Sequence, residues 1–91
     1  MHFRLRTKIK EGIIMQTTQI VLASVEDVRK FVTLASECDF DVTLVSGKYR
    51  IDGKSIMGVF SLNLSNPITV EVESDHAGDF MEKIKAFAPQ K

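Results

Sequence analysis

The chain has little of what several protein classes need. Among its 91 residues there is one cysteine, Cys38, and no tryptophan. A lone cysteine excludes an intramolecular disulfide framework and favours a cytoplasmic location. No apolar run approaches the ~20 residues of a membrane span, and no signal peptide is visible, so we expect no membrane association. The two histidines, His2 and His76, and Cys38 are too scattered for metal-ligand spacing, so the sequence predicts no metal site.

Charge is balanced overall but unevenly distributed. Residues 1–14 contain four basic and one acidic side chain, whereas residues 15–91 contain eight basic and eleven acidic ones. An acidic body with a short basic leader does not favour nucleic-acid binding, which needs a basic face on the folded domain. In the leader, apolar and basic residues alternate with the period of a strand, so residues 1–14 are expected to form either an extra edge strand or an arm.

Residues 15–91 are predicted to form a single domain with the element order βαββαβα. A β-branched run over residues 16–23 predicts the first strand, and Ser24 is a good N-cap for the helix that follows. The predicted buried stripe of that helix consists of Val25, Val28, Phe31, Val32 and Ala35. A Ser46-Gly47-Lys48 turn joins two alternating strands, and a nine-residue helix is predicted to begin at Ser55. A fourth strand leads to a last helix capped by Ser74 or Asp75. Four antiparallel strands with three helices on one face make an α+β open-faced β-sandwich.

Two segments resemble a known family. Residues 53–63 read GKSIMGVFSLN, and residues 35–44 read ASECDFDVTL. Both are similar to HPr, the phosphocarrier of the bacterial sugar phosphotransferase system, and the spacing between them needs no gap. The resemblance extends over about residues 16–87 and implies the HPr fold. The sequence has neither a glycine-rich phosphate loop nor paired catalytic carboxylates, so we expect no enzymatic activity and no cofactor.

The active-site pattern of that family is missing. Where the resemblance would place the phosphorylated histidine, this chain has Ser24, and Glu26 stands at the position of the family's arginine. A phosphohistidine readily gives up its phosphoryl group, whereas a serine ester would not serve as a donor in the same relay. Glu26 and Asp27 would also repel a phosphate at the helix N-terminus, where the family needs positive charge. The sequence therefore predicts a non-catalytic HPr-like protein.

The resemblance implies a different use for the second helix. Ser55 matches the serine that HPr kinase phosphorylates, and Lys54 beside it would attract the phosphate. The simpler alternative is that Ser55 is only an N-cap. In the family this region supplies an apolar surface for partner proteins, which here would consist of Ile56, Met57 and Phe60, with Met57 the most exposed. The expected partners are phosphotransferase-system enzymes, HPr kinase or a transcription regulator of carbon catabolite control.

Two further functions stay open at this stage. The chain could be a phosphocarrier that works through a different residue, although His76, predicted in the first turn of the last helix, is expected to be an ordinary solvated side chain. It could instead be a structural or oligomerising module that forms a homodimer through residues 1–14. Cys38, between Glu37 and Asp39, is expected to have a raised pKa and to be unreactive.

Overall fold

A computed structural model describes residues 6–10 and 13–89, with side chains from Met15 onward. Residues 1–5, 11–12 and 90–91, and with them His2, lie outside the described residues. The strands are β1 (Arg6–Lys10), β2 (Ile13–Ile20), β3 (Val42–Ser46), β4 (Tyr49–Asp52) and β5 (Ile68–Glu73). The helices are α1 (Val25–Ser36), α2 (Ile56–Phe60) and α3 (Gly78–Lys83), and a 3₁₀ turn over Ile84–Phe87 follows α3.

The strands form one antiparallel sheet in the order β1-β2-β5-β3-β4. Along β5 every second side chain is buried, which turns Ile68, Val70 and Val72 towards the helices. Helix α1 contributes Phe31, which is fully buried and packs edge-to-face against Phe80 of α3 and Phe87 of the 3₁₀ turn. The single core therefore lies between the sheet and the helical layer. The predicted open-faced arrangement of four strands and three helices is confirmed, and β1 is added beside β2.

The first strands differ from prediction in their limits. We predicted a strand over residues 16–23, but β2 ends at Ile20 and begins at Ile13. The early start comes from pairing with β1, in which Lys10 stands opposite Ile13. The early end arises because the chain turns into the core after Ile20, where the amide of Val21 donates to the Phe87 carbonyl at 2.7 Å. Residues 1–14 as a separate leader remain a prediction, although Arg6–Lys10 do form a strand.

The second and third helices are shorter than predicted. Helix α2 has five residues instead of nine, because the chain turns after Phe60 to bury Leu62. The last helix does not begin at Ser74 or Asp75. Its N-cap is Ala77, without a side-chain cap, because the Ser74 hydroxyl is buried and accepts the His76 amide instead. His76 therefore precedes α3, and its predicted place in the first turn was wrong.

The base of the β3–β4 hairpin is closely packed. Gly47 in the predicted turn adopts a φ of +61°, which favours glycine. At the other end, the Gly53 amide donates to the Val42 carbonyl at 2.7 Å, and a Cβ at Gly53 would approach Val42 Cγ1 to 2.9 Å. Glycine is therefore required where β4 leads into α2. Among the described residues, no helix has the length and apolar character to cross a membrane.

Candidate functional site

The N-terminus of α1 is closed by its own side chains. The Ser24 hydroxyl accepts the amide of Asp27 at 3.1 Å, and the Asp27 carboxylate accepts the amide of Ala23 at 3.2 Å. The pair resembles a capping box, except that the carboxylate bonds the amide of Ala23, one residue before the N-cap, instead of the amide of Ser24. Glu26, also in the first turn, adds a second carboxylate. The predicted N-cap at Ser24 is thus confirmed, and the positive end of the helix dipole is already neutralised.

The N-terminus of α2 has a serine in the same position but no acidic neighbour in its first turn. The Ser55 hydroxyl accepts the amide of Gly58 at 3.2 Å, so the predicted cap is confirmed. A Cβ at Gly58 would approach Ser55 Oγ to 3.3 Å and Ile51 Cγ2 to 2.8 Å. Gly58 therefore lets the first turn of α2 pack closely against Ser55 and Ile51, which a side chain at this position would prevent.

Lys54 does not simply point into solvent beside Ser55. Its ammonium donates to the carbonyl of Cys38 at 3.0 Å, just beyond the C-terminus of α1, where the helix dipole favours a cation. Its backbone amide donates to the Asp52 carboxylate at 2.9 Å. Lys54 thus joins the beginning of α2 to the end of α1. Its ammonium is therefore already bonded to a backbone carbonyl on the neighbouring segment.

Four exposed apolar side chains lie at or near the α1 and α2 ends, and we call them the apolar patch: Val25, Ile56, Met57 and Phe60. Met57 is 77% exposed, as predicted, whereas Val59 and Leu62 are buried in the core. Ile56 and Met57 lie one turn before Phe60 on α2. Phe60 and Val25 line the same open groove of about 700 Å³, together with Ser24. The structure thus brings the Ser24 end of α1 and the exposed face of α2 to one surface.

Val25 was predicted on the buried stripe of α1, and this was wrong. It is the first helical residue and is 60% exposed. The other predicted core residues of α1, Val28, Phe31 and Ala35, are buried. Val25 therefore extends the surface that the sequence assigned to α2 alone.

Sequence analysis missed a cluster around His76. Its Nε2 lies 3.0 Å from Asp39 Oδ1, and its Nδ1 lies 3.1 Å from Asp75 Oδ1. The hydrogen bond to Asp39, followed by that to Asp75, raises the pKa of His76, and the bond to His76 lowers the pKa of Asp39. The ring also packs edge-to-face against Phe40. The cluster ties the turn before α3 to the turn after α1, and the two carboxylates favour the protonated form of the imidazole.

The pKa of Cys38 is raised, as predicted, but its main cause is different. Burial raises the pKa of its thiol most, and the nearby Asp39 and Glu37 add to the increase, while Lys54 opposes it. The thiol hydrogen-bonds to the Leu34 carbonyl. Among the residues with described side chains, no group of histidine, cysteine and carboxylate ligands has the arrangement of a metal site.

Both the sequence and the fold of the chain are similar to those of known proteins. The family model described as "PTS HPr component phosphorylation site" matches residues 27–90. The chain belongs to the HPr family. The match begins at Asp27 and so does not include Ser24, the residue at the expected phosphohistidine position. No curated protein sequence matches the chain.

Two solved HPr structures share the fold. The phosphocarrier protein HPr from Bacillus anthracis str. Ames has a TM-score of 0.66 and 22% identity, over 87% of this chain and 100% of its own. HPr-C-His from Thermoanaerobacter tengcongensis has a TM-score of 0.62 and 22% identity, over 79% of this chain and 86% of its own. At this identity the two structures establish the HPr fold.

Proposed function

We propose that this protein is a non-catalytic member of the HPr family that acts by binding protein partners of the phosphotransferase system. In this proposal Ser55 is a regulatory phosphorylation site and the apolar patch is the contact surface. The main support is the capping at the start of α1, where the Ser24 and Asp27 side chains already bond backbone amides at the helix N-terminus.

A phosphoryl group at Ser24 would meet unfavourable electrostatics. Asp27 and Glu26 lie in the first turn of α1, and a phosphate carries up to two further negative charges. Like charges within an exposed helical turn repel by a few tenths of a kcal/mol per pair, and two carboxylates already lie at this helix N-terminus, so the helix dipole offers a phosphate little net attraction. Relay through this position is therefore disfavoured by charge as well as by the ester chemistry of serine.

The apolar patch supports a binding function. Met57 and Val25 are more than half exposed, and Ile56 and Phe60 more than a third, although all four are apolar. Clustered exposed apolar side chains beside a groove are typical of protein interaction sites. Met57 and Phe60 would contact the partner from one face of α2, and Val25 would contact it from the tip of α1.

Ser55 is suited to control that surface. It directly precedes Ile56 and Met57, and its hydroxyl already lies at the positive end of α2 without a carboxylate in the first turn. A phosphate there would add negative charge at the border of the apolar patch, which changes the partners that the patch accepts. Lys54, whose ammonium bonds the Cys38 carbonyl, precedes Ser55 in the chain and would attract that phosphate.

Phosphotransfer from the first enzyme of the system tests the absence of relay. We expect no acid-labile label on this chain when a phosphocarrier HPr in the same assay is labelled. An acid-labile label would favour the alternative, a phosphocarrier that uses another residue. The variant His76→Gln, with His2→Gln as its matched control, would then identify the histidine involved.

Incubation with HPr kinase and ATP tests the regulatory site. We expect an acid-stable label on the wild-type chain, retained in Ser24→Ala and absent in Ser55→Ala. If Ser24→Ala loses the label and Ser55→Ala keeps it, the assignment is wrong.

Binding tests the contact surface separately. In a pull-down with phosphotransferase-system proteins, Met57→Ala should weaken capture, and Tyr49→Ala serves as the control because Tyr49 is also an exposed large side chain (67%) but lies on β4. Equal capture by the wild type and Met57→Ala would show that the patch is not the contact surface. Ser55→Asp should alter capture relative to Ser55→Ala if the partner senses charge at this position.

A further inference from the structure

A second groove lies between α1 and the C-terminal part of the helical layer. It has a volume of about 480 Å³ and is open to solvent. Leu34 of α1 and Phe87 of the 3₁₀ turn line it, together with Ala86. It shares no lining residue with the groove beside Ser24. This second groove, which we call the α1–α3 groove, is therefore separate from the surface used in the proposed function.

The border of the α1–α3 groove is basic. Arg29 and Lys30 line it from α1, and Lys83 lines it from α3, against one acidic residue, Glu26. Residues 15–91 as a whole carry more acidic than basic side chains, so this is a local reversal of the charge of the domain. Among the residues with described side chains, Arg29 and Lys30 form no ion pair, and Lys83 pairs with the exposed Asp79 at 3.5 Å.

We propose that the α1–α3 groove binds an acidic amphipathic segment of a partner protein. The apolar floor at Leu34, Ala86 and Phe87 would take the apolar side chains of that segment, and Arg29, Lys30 and Lys83 would pair with its carboxylates. An open groove between two helices fits an amphipathic helix, whereas a small molecule is usually enclosed on most sides. The charge of the border selects acidic over basic segments. This proposal does not depend on Ser24, Ser55 or the apolar patch.

A synthetic helical peptide with leucines along one face and glutamates beside them is a direct probe. Titration into the full chain, followed through backbone amide resonances, should shift residues 29–34 and 83–87 most. The same peptide with lysines in place of the glutamates should bind more weakly. Added salt should weaken binding of the acidic peptide, because the charges at the border of the groove are exposed and are screened.

Two double variants distinguish the effect of the groove cations on peptide affinity from the effect of net charge. Arg29→Ala with Lys30→Ala removes two border cations, and Lys48→Ala with Lys85→Ala removes two cations that do not line the groove. The first pair should lower affinity for the acidic peptide by about fivefold, since exposed charge pairs contribute about 0.5 kcal/mol each, and the second pair by less than twofold. All four residues are exposed, so both variants should fold.

Several outcomes would overturn the proposal. Equal losses in the two double variants would mean that binding follows net charge alone. Equal affinity for the glutamate and lysine peptides would remove the assigned charge selection. Shifts centred on Ser24 and Met57 would place the peptide on the other groove. Binding to vesicles rich in anionic lipid, with no binding of the acidic peptide, would identify a membrane surface as the occupant instead.

Discussion

The beginnings of α1 and α2 use the same residue and the same hydrogen bond in different surroundings. Ser24 and Ser55 each accept the amide three residues later, at 3.1 and 3.2 Å. At α1 that amide belongs to Asp27, whose carboxylate in turn accepts the Ala23 amide, whereas at α2 it belongs to Gly58. A serine cap alone therefore does not reveal whether a helix start can take a phosphate. The residues at the second and third helical positions decide it.

The two helices also differ in the burial of the phenylalanine that each contains. We expect substitution of the buried one to have the largest effect on stability. Phe31 of α1 is fully buried against two other rings, while Phe60 of α2 is 41% exposed. Phe31→Ala should lower the free energy of unfolding by about 3–5 kcal/mol, because it opens a cavity in the core. Phe60→Ala should cost about 1 kcal/mol or less. Urea unfolding measures both, and comparable losses would contradict the division into core and contact surface.

Removing the caps is expected to have an intermediate effect. Ser24→Ala and Ser55→Ala should each lower the free energy of unfolding by about 1 kcal/mol, since each leaves one amide without its acceptor. The helix-surface variant Ser36→Ala, at the last position of α1, is the control and should have little effect. If Ser55→Ala were neutral, the bond to Gly58 would not contribute to stability.

Replacing either N-cap serine by aspartate is expected to change stability less than removing the cap. Aspartate is itself a good N-cap, so Ser55→Asp should preserve stability. Ser24→Asp would stand beside Glu26 and Asp27 and should be less stable than Ser55→Asp by about 0.5 kcal/mol, because like charges within a helical turn repel. Thermal unfolding at low salt and at ~1 M salt measures this difference, which should shrink at high salt because of screening. A Ser24→Asp variant as stable as Ser55→Asp would refute the electrostatic distinction.

The segment before α3, where the His76 ring contacts Asp39, should respond to pH. Because the pKa of His76 is raised, its bond to Asp39 stabilises the fold fully below the ordinary histidine value of 6.5 and is lost as pH rises through the raised value. Because the pKa of Asp39 is lowered, the contribution is present above its ordinary value of 3.8 and is lost as pH falls through the lowered value.

Melting temperature as a function of pH measures this contribution. His76→Gln should flatten the profile on the alkaline side of pH 6.5, whereas His2→Gln should leave it unchanged. The effect should be smaller than that of either cap, because the side chains of His76 and Asp39 are 63% and 81% exposed. A flattened profile in His2→Gln alone would contradict the assignment to His76.

Local patterns were sufficient to predict much of the fold and both caps. The period of β5, the stripe of α1 at Val28 and Phe31, and the Gly47 turn all follow from neighbouring residues. The Ser24 cap was visible because the residues after it have a helical period. What failed depends on partners distant in the chain. The limits of β2 depend on β1 and on Phe87, and neither could be read from residues 16–23.

The same reason explains what was missed at the candidate site. Asp39 and His76 are 37 residues apart, and their contact exists only once the ends of α1 and β5 are brought together. The ammonium of Lys54 was expected to serve Ser55, but in the fold it bonds the Cys38 carbonyl. Charge beside a serine in sequence is thus a poor guide to charge beside it in space, because a lysine side chain reaches whichever acceptor is nearest.

The two hydrogen bonds at the base of the β3–β4 hairpin have a consequence for local motion. Gly53 bonds Val42 and Lys54 bonds Cys38, so the open end of the hairpin is fastened twice, while β4 has one strand neighbour in the described sheet. The hairpin should therefore unzip from its Gly47 tip and stop before reaching α2. In hydrogen exchange, the Gly53 amide should remain protected while amides near the tip exchange freely. The tip of the β3–β4 hairpin can then open locally without disturbing α2.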